Sequence, residues 1–380
     1  SVLNQDIDIS DYYLYQGYYD VKGSWHTWNE GGNGTWGTTS KRGSNYGLDF
    51  VKRKEWRVGL EGSLLNGTVS FDMNYFHQLT SGLLTPGTAT IYPSWMNNDG
   101  SFITSLNYNE DLRQGFDFAV NFKKNIGKVK AQLGLTGMVF DSKVNKREEK
   151  NEYSYMNAQG QALDVMRGYV CEGFFTQEDV DHMKANLDKD DPNFVPNHTF
   201  GEIKAGDLKY KDMNNDGFID DRDETFIGYS DIPENTYALT LGANYKGIGF
   251  EVMFQGVDHV SRYYDSDAMF AFQNNGKVKD IHLNRWNPAK SEAENLATAT
   301  YPLLHYGSNG DHNQRQNSFF LKNGSFVRLK NIELSYTFPK ELIKHIGMSN
   351  ARFYINANNL FTWDHLDDLV DPESNGSNRY

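Results

Sequence analysis

The sequence predicts an all-β protein: an antiparallel transmembrane β-barrel with long extracellular loops. Three observations predict it. Period-2 alternation of apolar and polar residues recurs in four places, the turns inside each alternating pair are short, and the connections between pairs are long. Composition agrees. Aromatic residues make up 14% of the 380 residues, with 35 Gly and only 9 Pro, a balance that favours strands and turns over helices.

In the first pair Val58, Leu60 and Leu64 precede Asn66-Gly67, the favoured dipeptide of a tight hairpin because both residues accept positive φ. Beyond it Val69, Phe71, Met73 and Tyr75 alternate with Ser70, Asp72 and Asn74. The second pair sets Phe116, Phe118, Val120 and Phe122 against polar neighbours, turns at KNIG, and returns through Val129, Ala131, Leu133, Leu135 and Val139. The third runs through Tyr237, Leu239, Leu241, Ala243 and Tyr245, turns at KGIG, and continues with Phe250, Val252 and Phe254. The fourth has Ile332, Leu334, Tyr336 and Phe338, then PKELIKHIGMSN as a brief helical turn, then Phe353, Ile355, Ala357 and Phe361. Val327 and Leu329 lie on the opposite parity from Ile332, which predicts a bulge or bend near Lys330-Asn331.

Two architectures accommodate these faces. A soluble sandwich would turn the apolar faces into a core between two sheets, whereas a barrel would turn them outward to lipid and line its lumen with the polar ones. Strands of about 10 residues suit a tilted membrane strand better than the roughly 5–6 usual elsewhere. The long gaps, residues 141–235 and 258–324, are what outer-membrane barrels place on one side, and a compact soluble domain seldom carries them. The alternative is a soluble, secreted, β-rich calcium-dependent glycan-binding protein.

A formal net charge of -13 repels phosphate backbones, which excludes nucleic acid as a partner. The single cysteine, Cys171, excludes an intrachain disulfide and reads as a small apolar residue beside Val170. The opening SVLNQDIDIS has neither the basic start nor the apolar run of a signal peptide. No stretch approaches the ~18 apolar residues of a membrane helix, a test that a strand barrel evades.

The stretch DMNNDGFIDDRD, 212–223, reads as a calcium loop. With Asp212 at position 1, Asn214 falls at 3, Asp216 at 5, Gly217 at 6, Phe218 at 7 and Asp223 at 12. Calcium wants a cage of hard oxygens. The side chains of Asp212, Asn214 and Asp216 supply one side, the Phe218 carbonyl another, Asp223 closes it, and Gly217 allows the sharp turn. Asp220, at position 9, would act through a water. The flanks are strand-like rather than helical, and the closing residue is an Asp, shorter than the usual Glu, so a modest affinity is expected. The bland alternative is an acidic turn that needs no metal.

Nothing points to catalysis. The ten histidines show no HExxH spacing, His305 and His312 read as loop residues, and neither G-x-S-x-G nor a P-loop is present. No catalytic residue is assigned and the protein is expected not to be an enzyme. Near the N-terminus Tyr12, Tyr13, Tyr15, Tyr18, Tyr19, Trp25, Trp28 and Trp36 lie among glycines and polar residues. They suit either stacking against sugars or peptides, or a membrane-interface belt. No ligand-binding residue is singled out.

The segment GSFVRLKNIELSYTFPKELIKHIGMSNARFYINANNLFTWDHLDDLVDPES resembles the C-terminal region of SusC-like TonB-dependent outer-membrane transporters. The matching pattern is an F-V-R-L-K-N strand, an aromatic-Pro-Lys turn, an aromatic strand ending N-L-F-T, and D-P-E. GDLKYKDMNNDGFIDDRDETFIG, RGYVCEGFFTQEDV and NRWNPAKSEAENLATATYP match further family stretches in order. The resemblance implies that residues 1–380 are the C-terminal part of a large receptor barrel in the outer membrane of a Bacteroidetes-type bacterium. It implies import of oligosaccharides or peptides, a SusD-like surface lipoprotein as lid, and energy from TonB. The plug domain, TonB box and closing strand of such proteins are not recognised in these residues, so the chain is expected to be part of a longer protein. The calcium loop would be an outer, structural element.

Overall fold

The computed structural model describes residues 2–5, 13–27, 34–93, 95–96, 102–265, 269–272, 276–306, 311–366 and 370–374. The chain divides into two compact units, one of Ser1–Asn151 with Asn157–Leu163, the other of Glu152–Met156 with Asp164–Tyr380.

In the first unit β1 (Val2–Gln5), β4 (Val51–Leu64), β5 (Val69–Thr85), β6 (Leu106–Ile126) and β7 (Val129–Lys146) form consecutive antiparallel neighbours. A separate hairpin pairs β2 (Tyr18–Thr27) with β3 (Gly34–Arg42). Leu60 sits opposite Met73, and Met73 opposite Phe118, so one face carries a continuous apolar row. The opposite face is polar: Asn74 Nδ2 donates to Asp72 and Asp117 at 2.8 and 2.9 Å, and Arg57 lies 3.8 Å from Asp117. The β4–β5 loop spans 65–68 with Leu65, Asn66 and Gly67 all left-handed. It is thus two residues longer than the tightest hairpin, but glycine sits where φ reaches +84°.

The apolar row discriminates between the two architectures. A sandwich would cover it with a second sheet, yet Val58 and Leu60 are each 64% exposed and Phe116 57%. These faces are open, as a wall in lipid requires. Strand length corrects the sequence expectation. β5, β6 and β7 run 17, 21 and 18 residues, far beyond the roughly 10 that span a bilayer. At about 3.3 Å per residue their far ends rise well past the hydrocarbon.

The second unit contains β14 (Asn235–Tyr245), β15 (Ile248–Asp258), β18 (Phe326–Thr337) and β19 (Arg352–Asp364), again antiparallel neighbours. Phe250, Leu334 and Ile355 align across three strands. The expected bulge is present: both ladders of β18 skip Lys330 between Leu329 and Asn331. The expected helical turn is α4 (Lys340–Lys344). The two ends of the C-terminal motif meet, because buried Arg328 donates to Asp371 and Glu373 at 2.8 Å each.

The long connections are not the loose polar loops that their composition predicts. They carry β8 (Val165–Gly168), β9 (Cys171–Phe174), α1 (Gln177–Ala185), β10 (Asn197–His198), β11 (Leu208–Tyr210), β12 (Phe218–Ile219) and β13 (Thr225–Ser230). The second connection adds β16 (Ser261–Tyr263), α2 (Glu292–Thr298), α3 (Asp311–Gln314) and β17 (Leu321–Asn323). They share a buried core of Tyr169, Leu208, Tyr210, Ile219, Tyr264, Met269, Phe270, Tyr301 and Phe320. Each such side chain contributes about 1.5–3 kcal/mol on burial, with more from edge-on rings such as Phe270 on Phe320 at 5.1 Å.

Exposure of the apolar row yields a test. Met73→Arg is expected to cost about 2–4 kcal/mol in a bilayer and to reduce heat-modifiable, folded protein on electrophoresis. Asn74→Lys, one residue away on the polar face, is expected to fold like the parent. Equal losses would contradict the face assignment.

Candidate metal centre

The loop from Asp212 to Asp223 is delivered by β11, which pairs with β9, contains β12, and leads into β13. Short β12 pairs in parallel with β10. Asn197 N–H donates to the Gly217 carbonyl at 2.9 Å, and the Thr199 N–H and hydroxyl donate to that of Ile219 at 3.3 and 2.8 Å. Alternate carbonyls of a strand point opposite ways, so the Phe218 carbonyl between them is turned from β10. Gly217 has φ +91°, a conformation that an L side chain resists.

Backbone N–H groups wrap the acidic side chains. Asp212 accepts from Asp216 at 3.3 Å and Gly217 at 2.8 Å, and Asn214 Oδ1 accepts from Asp216 at 2.8 Å. Asp216 Oδ1 accepts from Phe218 at 2.9 Å. Asp223, fully buried, accepts from Met213 at 2.8 Å and Asp220 at 2.9 Å. Burial holds the Asp223 carboxyl above its ordinary pKa, and the nearby Asp212 charge adds to this. The Tyr155 hydroxyl donates to the Arg222 carbonyl at 2.6 Å. Its pKa is pushed up to about 12 by burial and by the charges of Asp223, Asp212 and Asp216. The loop interior is therefore negative, and the five predicted ligand residues are brought together on one turn.

The cation already there is Arg222. Its Nη2 lies 2.6 Å from Asp216 and 2.7 Å from Asp220. The Asp220 carboxylate caps the turn Asp221–Asp223 and holds Arg222. Among the described residues no group of three or more His, Cys, Asp and Glu side chains stands ready to hold a metal. The donor set still fits calcium. Each carboxylate oxygen satisfied by one N–H keeps a second lone pair, and the Asn214 amide and Phe218 carbonyl complete an all-oxygen set. Loading would need Arg222 to leave Asp216.

Behind the loop lie groups that the sequence did not flag. His198 Nδ1–H donates to the Pro196 carbonyl, and its Nε2 accepts the Tyr210 N–H, both at 3.0 Å. One ring thus joins β11, which enters the loop, to β10, which pairs with β12 inside it. His312 Nε2–H donates to the Leu208 carbonyl at 2.6 Å, and the Tyr210 hydroxyl donates to the His312 carbonyl at 2.7 Å. His305 meets buried Asp207 at 2.5 Å. Both histidines, expected in loose loops, are buried. Burial depresses the pKa of His312, and that of His198 to about 3, helped by the adjacent His312 ring. The Cys171 thiol is pushed up to about 11 by burial, so it stays protonated at neutral pH.

Of the N-terminal aromatics, Tyr12, Trp28 and the side chain of Trp25 lie outside the described residues. Tyr13, Tyr15 and Tyr46 form an exposed cluster with ring centroids 6.2 and 5.9 Å apart, and Arg42 lies 5.0 Å over Tyr18.

Protonating His198 would place a second N–H against that of Tyr210. The unfolded ring takes its proton near pH 6.5, the folded one only near pH 3. Stability is therefore full above pH 6.5 and falls as pH drops through this window, by about 2 kcal/mol from pH 7 to 5 for this ring alone. Trp286 fluorescence followed against denaturant at several pH values measures it, and His198→Gln should flatten the acid dependence.

No family model matches the chain. In sequence it is similar to TonB-dependent receptor P26 of Formosa agariphila, at 27% identity over 90% of this chain and 33% of that protein. TonB-dependent receptor P3 of the same organism is 23% identical over 88% of this chain and 32% of its own length. The chain thus spans about a third of the curated relatives it matches. In structure it is similar to the RagAB peptide importer in its open-open state. There the TM-score is 0.63 at 19% identity, covering 96% of this chain and 36% of that one. A second structure of the RagAB peptide transporter gives 0.60 at 18% identity, over 93% and 35%. The fold is that of an outer-membrane β-barrel wall, and the resemblance to SusC-like TonB-dependent transporters read from the motifs holds.

Proposed function

We propose that this stretch of SusC-like outer-membrane barrel, residues 1–380, is the C-terminal wall and outer loops of an active importer. Its cargo is an oligosaccharide or peptide, its lid a SusD-like surface lipoprotein, and its energy source TonB. The observation that carries this reading is the pair of unlike strand faces: an open apolar row and, one residue away, the Arg57–Asp117–Asn74 polar face. Similarity to proteins named TonB-dependent receptors and to a peptide importer supports the energy source and the cargo class. The exposed Tyr13, Tyr15 and Tyr46 cluster suits stacking against such cargo. A soluble glycan binder is disfavoured because it would leave that apolar row in water.

The test is purification of the intact protein from membranes, followed by mass, peptide mapping and uptake. A detergent-dependent protein well above the 43.4 kDa of these residues, with a lipoprotein co-purifying and uptake lost without TonB, is expected. A protein of 43.4 kDa that stays soluble without detergent would overturn the reading.

Calcium is proposed as the structural cofactor of the loop, held by Asp212, Asn214, Asp216, Asp223 and the Phe218 carbonyl. The negative loop interior and the all-oxygen donor set support this. Arg222 occupies Asp216 in the metal-free arrangement. Calorimetric titration should detect calcium binding that Asp212→Ala abolishes and Arg222→Gln strengthens several-fold, since a half-exposed ion pair is worth about 1 kcal/mol or less. Heat uptake that neither substitution changes would remove calcium from this loop.

A further inference from the structure

The short-turn ends of the hairpins carry exposed positive charge and apolar surface. The chain is net -13, yet the turn end of the β6–β7 hairpin, 123–130, holds Lys123, Lys124, Lys128 and Lys130 with no acidic residue. In the second unit Lys246 stands in the β14–β15 turn, and Lys340 and Lys344 flank Glu341 in α4. All seven lysines are exposed, and among the described residues none of them is ion-paired.

Aliphatic side chains stand open beside them. Leu64, Leu65 and Ile126 end the first unit's hairpins, Leu342 lies on α4 and Ile346 in the turn that follows it, all exposed. Buried Ile343 seats the same helix on its own unit. Leu64 and Ile126 continue the open apolar rows of β4 and β6. Aliphatic groups at the end of such a row enter the acyl boundary, while a lysine stem lies along it and lifts its ammonium to the phosphates.

Parity sorts the lysines. Lys124 follows Phe116, Phe118, Val120 and Phe122 on the apolar face, and Lys128 stands in the turn itself. Lys123 pairs with Gln132, and Lys130 with Asn125, on the opposite face.

We propose that these turn ends dock anionic phospholipid headgroups of the leaflet they meet, through Lys124 and Lys128 in one unit and Lys246, Lys340 and Lys344 in the other. The short turns of outer-membrane barrels face the periplasm, so the lipid is that of the periplasmic leaflet. The proposal rests on the outer-membrane location alone and is independent of cargo, lid and calcium.

The full-length protein, purified in detergent, is mixed with phosphatidylglycerol or phosphatidylethanolamine, and retained lipid is counted by native mass spectrometry. Phosphatidylglycerol should be retained preferentially, and the preference should vanish between 0.05 and 0.5 M salt, conditions that need no variant, because screening shortens to about 4 Å. Each membrane-facing lysine contributes about fivefold. The double variant Lys124→Gln/Lys128→Gln is therefore expected to lose phosphatidylglycerol at least tenfold, and Lys123→Gln/Lys130→Gln less than twofold. Equal losses from the two variants, no lipid preference in the parent protein, or a periplasmic protein held at these turns instead of lipid would each overturn the proposal.

Discussion

Hydrocarbon offers no hydrogen bonds, and the rest of the structure follows from that constraint. Every strand that crosses it must pair its N–H and C=O groups with neighbours, which forces long antiparallel ladders such as β5 on β6 and β6 on β7. A ladder has two faces and a period of two. Once one face meets lipid, the other must hold the polar residues, and Asn74, Asp72, Asp117 and Arg57 collect there as a hydrogen-bonded and charged row. The wall thus acquires its polar side as a by-product of being stable in membrane.

Beyond the bilayer the constraint reverses. The long connections lie where water is available, and backbone groups alone no longer dictate their form. They fold by burying rings. Tyr169, Tyr210 and Phe320 are nearly inaccessible, and the side chains of Asn317 and Asp207 buried with them are matched. Asn317, fully buried, donates to the Arg315 carbonyl at 2.7 Å and accepts from Phe319 N–H at 2.9 Å. Buried Asp207 accepts from Lys204 N–H and from the Asn313 amide. Such groups stabilise one arrangement strongly because any other leaves them unpaired in an apolar interior.

The acidic loop sits on this core and takes its shape from it. His198 fixes β11 where the loop begins, and β10 holds its middle through β12, so Asp212, Asn214 and Asp216 share one hydrogen-bonded turn. Burying a carboxylate there has a cost: burial, with a smaller part from the Asp212 charge, raises the pKa of Asp223, and Arg222 is drawn to Asp216. The loop thus supplies its own guanidinium cation, Arg222, to Asp216 and Asp220.

The sequence by itself determined the four hairpins, their faces, the bulge at Lys330 and the helical turn of α4. Each rests on a local rule: a period of two, an Asn-Gly or Lys-Gly turn, a proline that starts a helix. It also marked the acidic loop, because Asp, Asn and Gly crowd into one short run, 212–223. It was silent on the core of the long connections and on the roles of His198, His305, His312, Asp207 and Arg222. These residues are far apart in the chain and follow no period; Asp207 and His305 meet across 98 positions. It also misjudged the reach of β5–β7, since alternation fades above the membrane while the ladder continues. Lipid imposes a repeating pattern that can be read residue by residue. Packing in water imposes partners, and only the tertiary structure decided which residues those are.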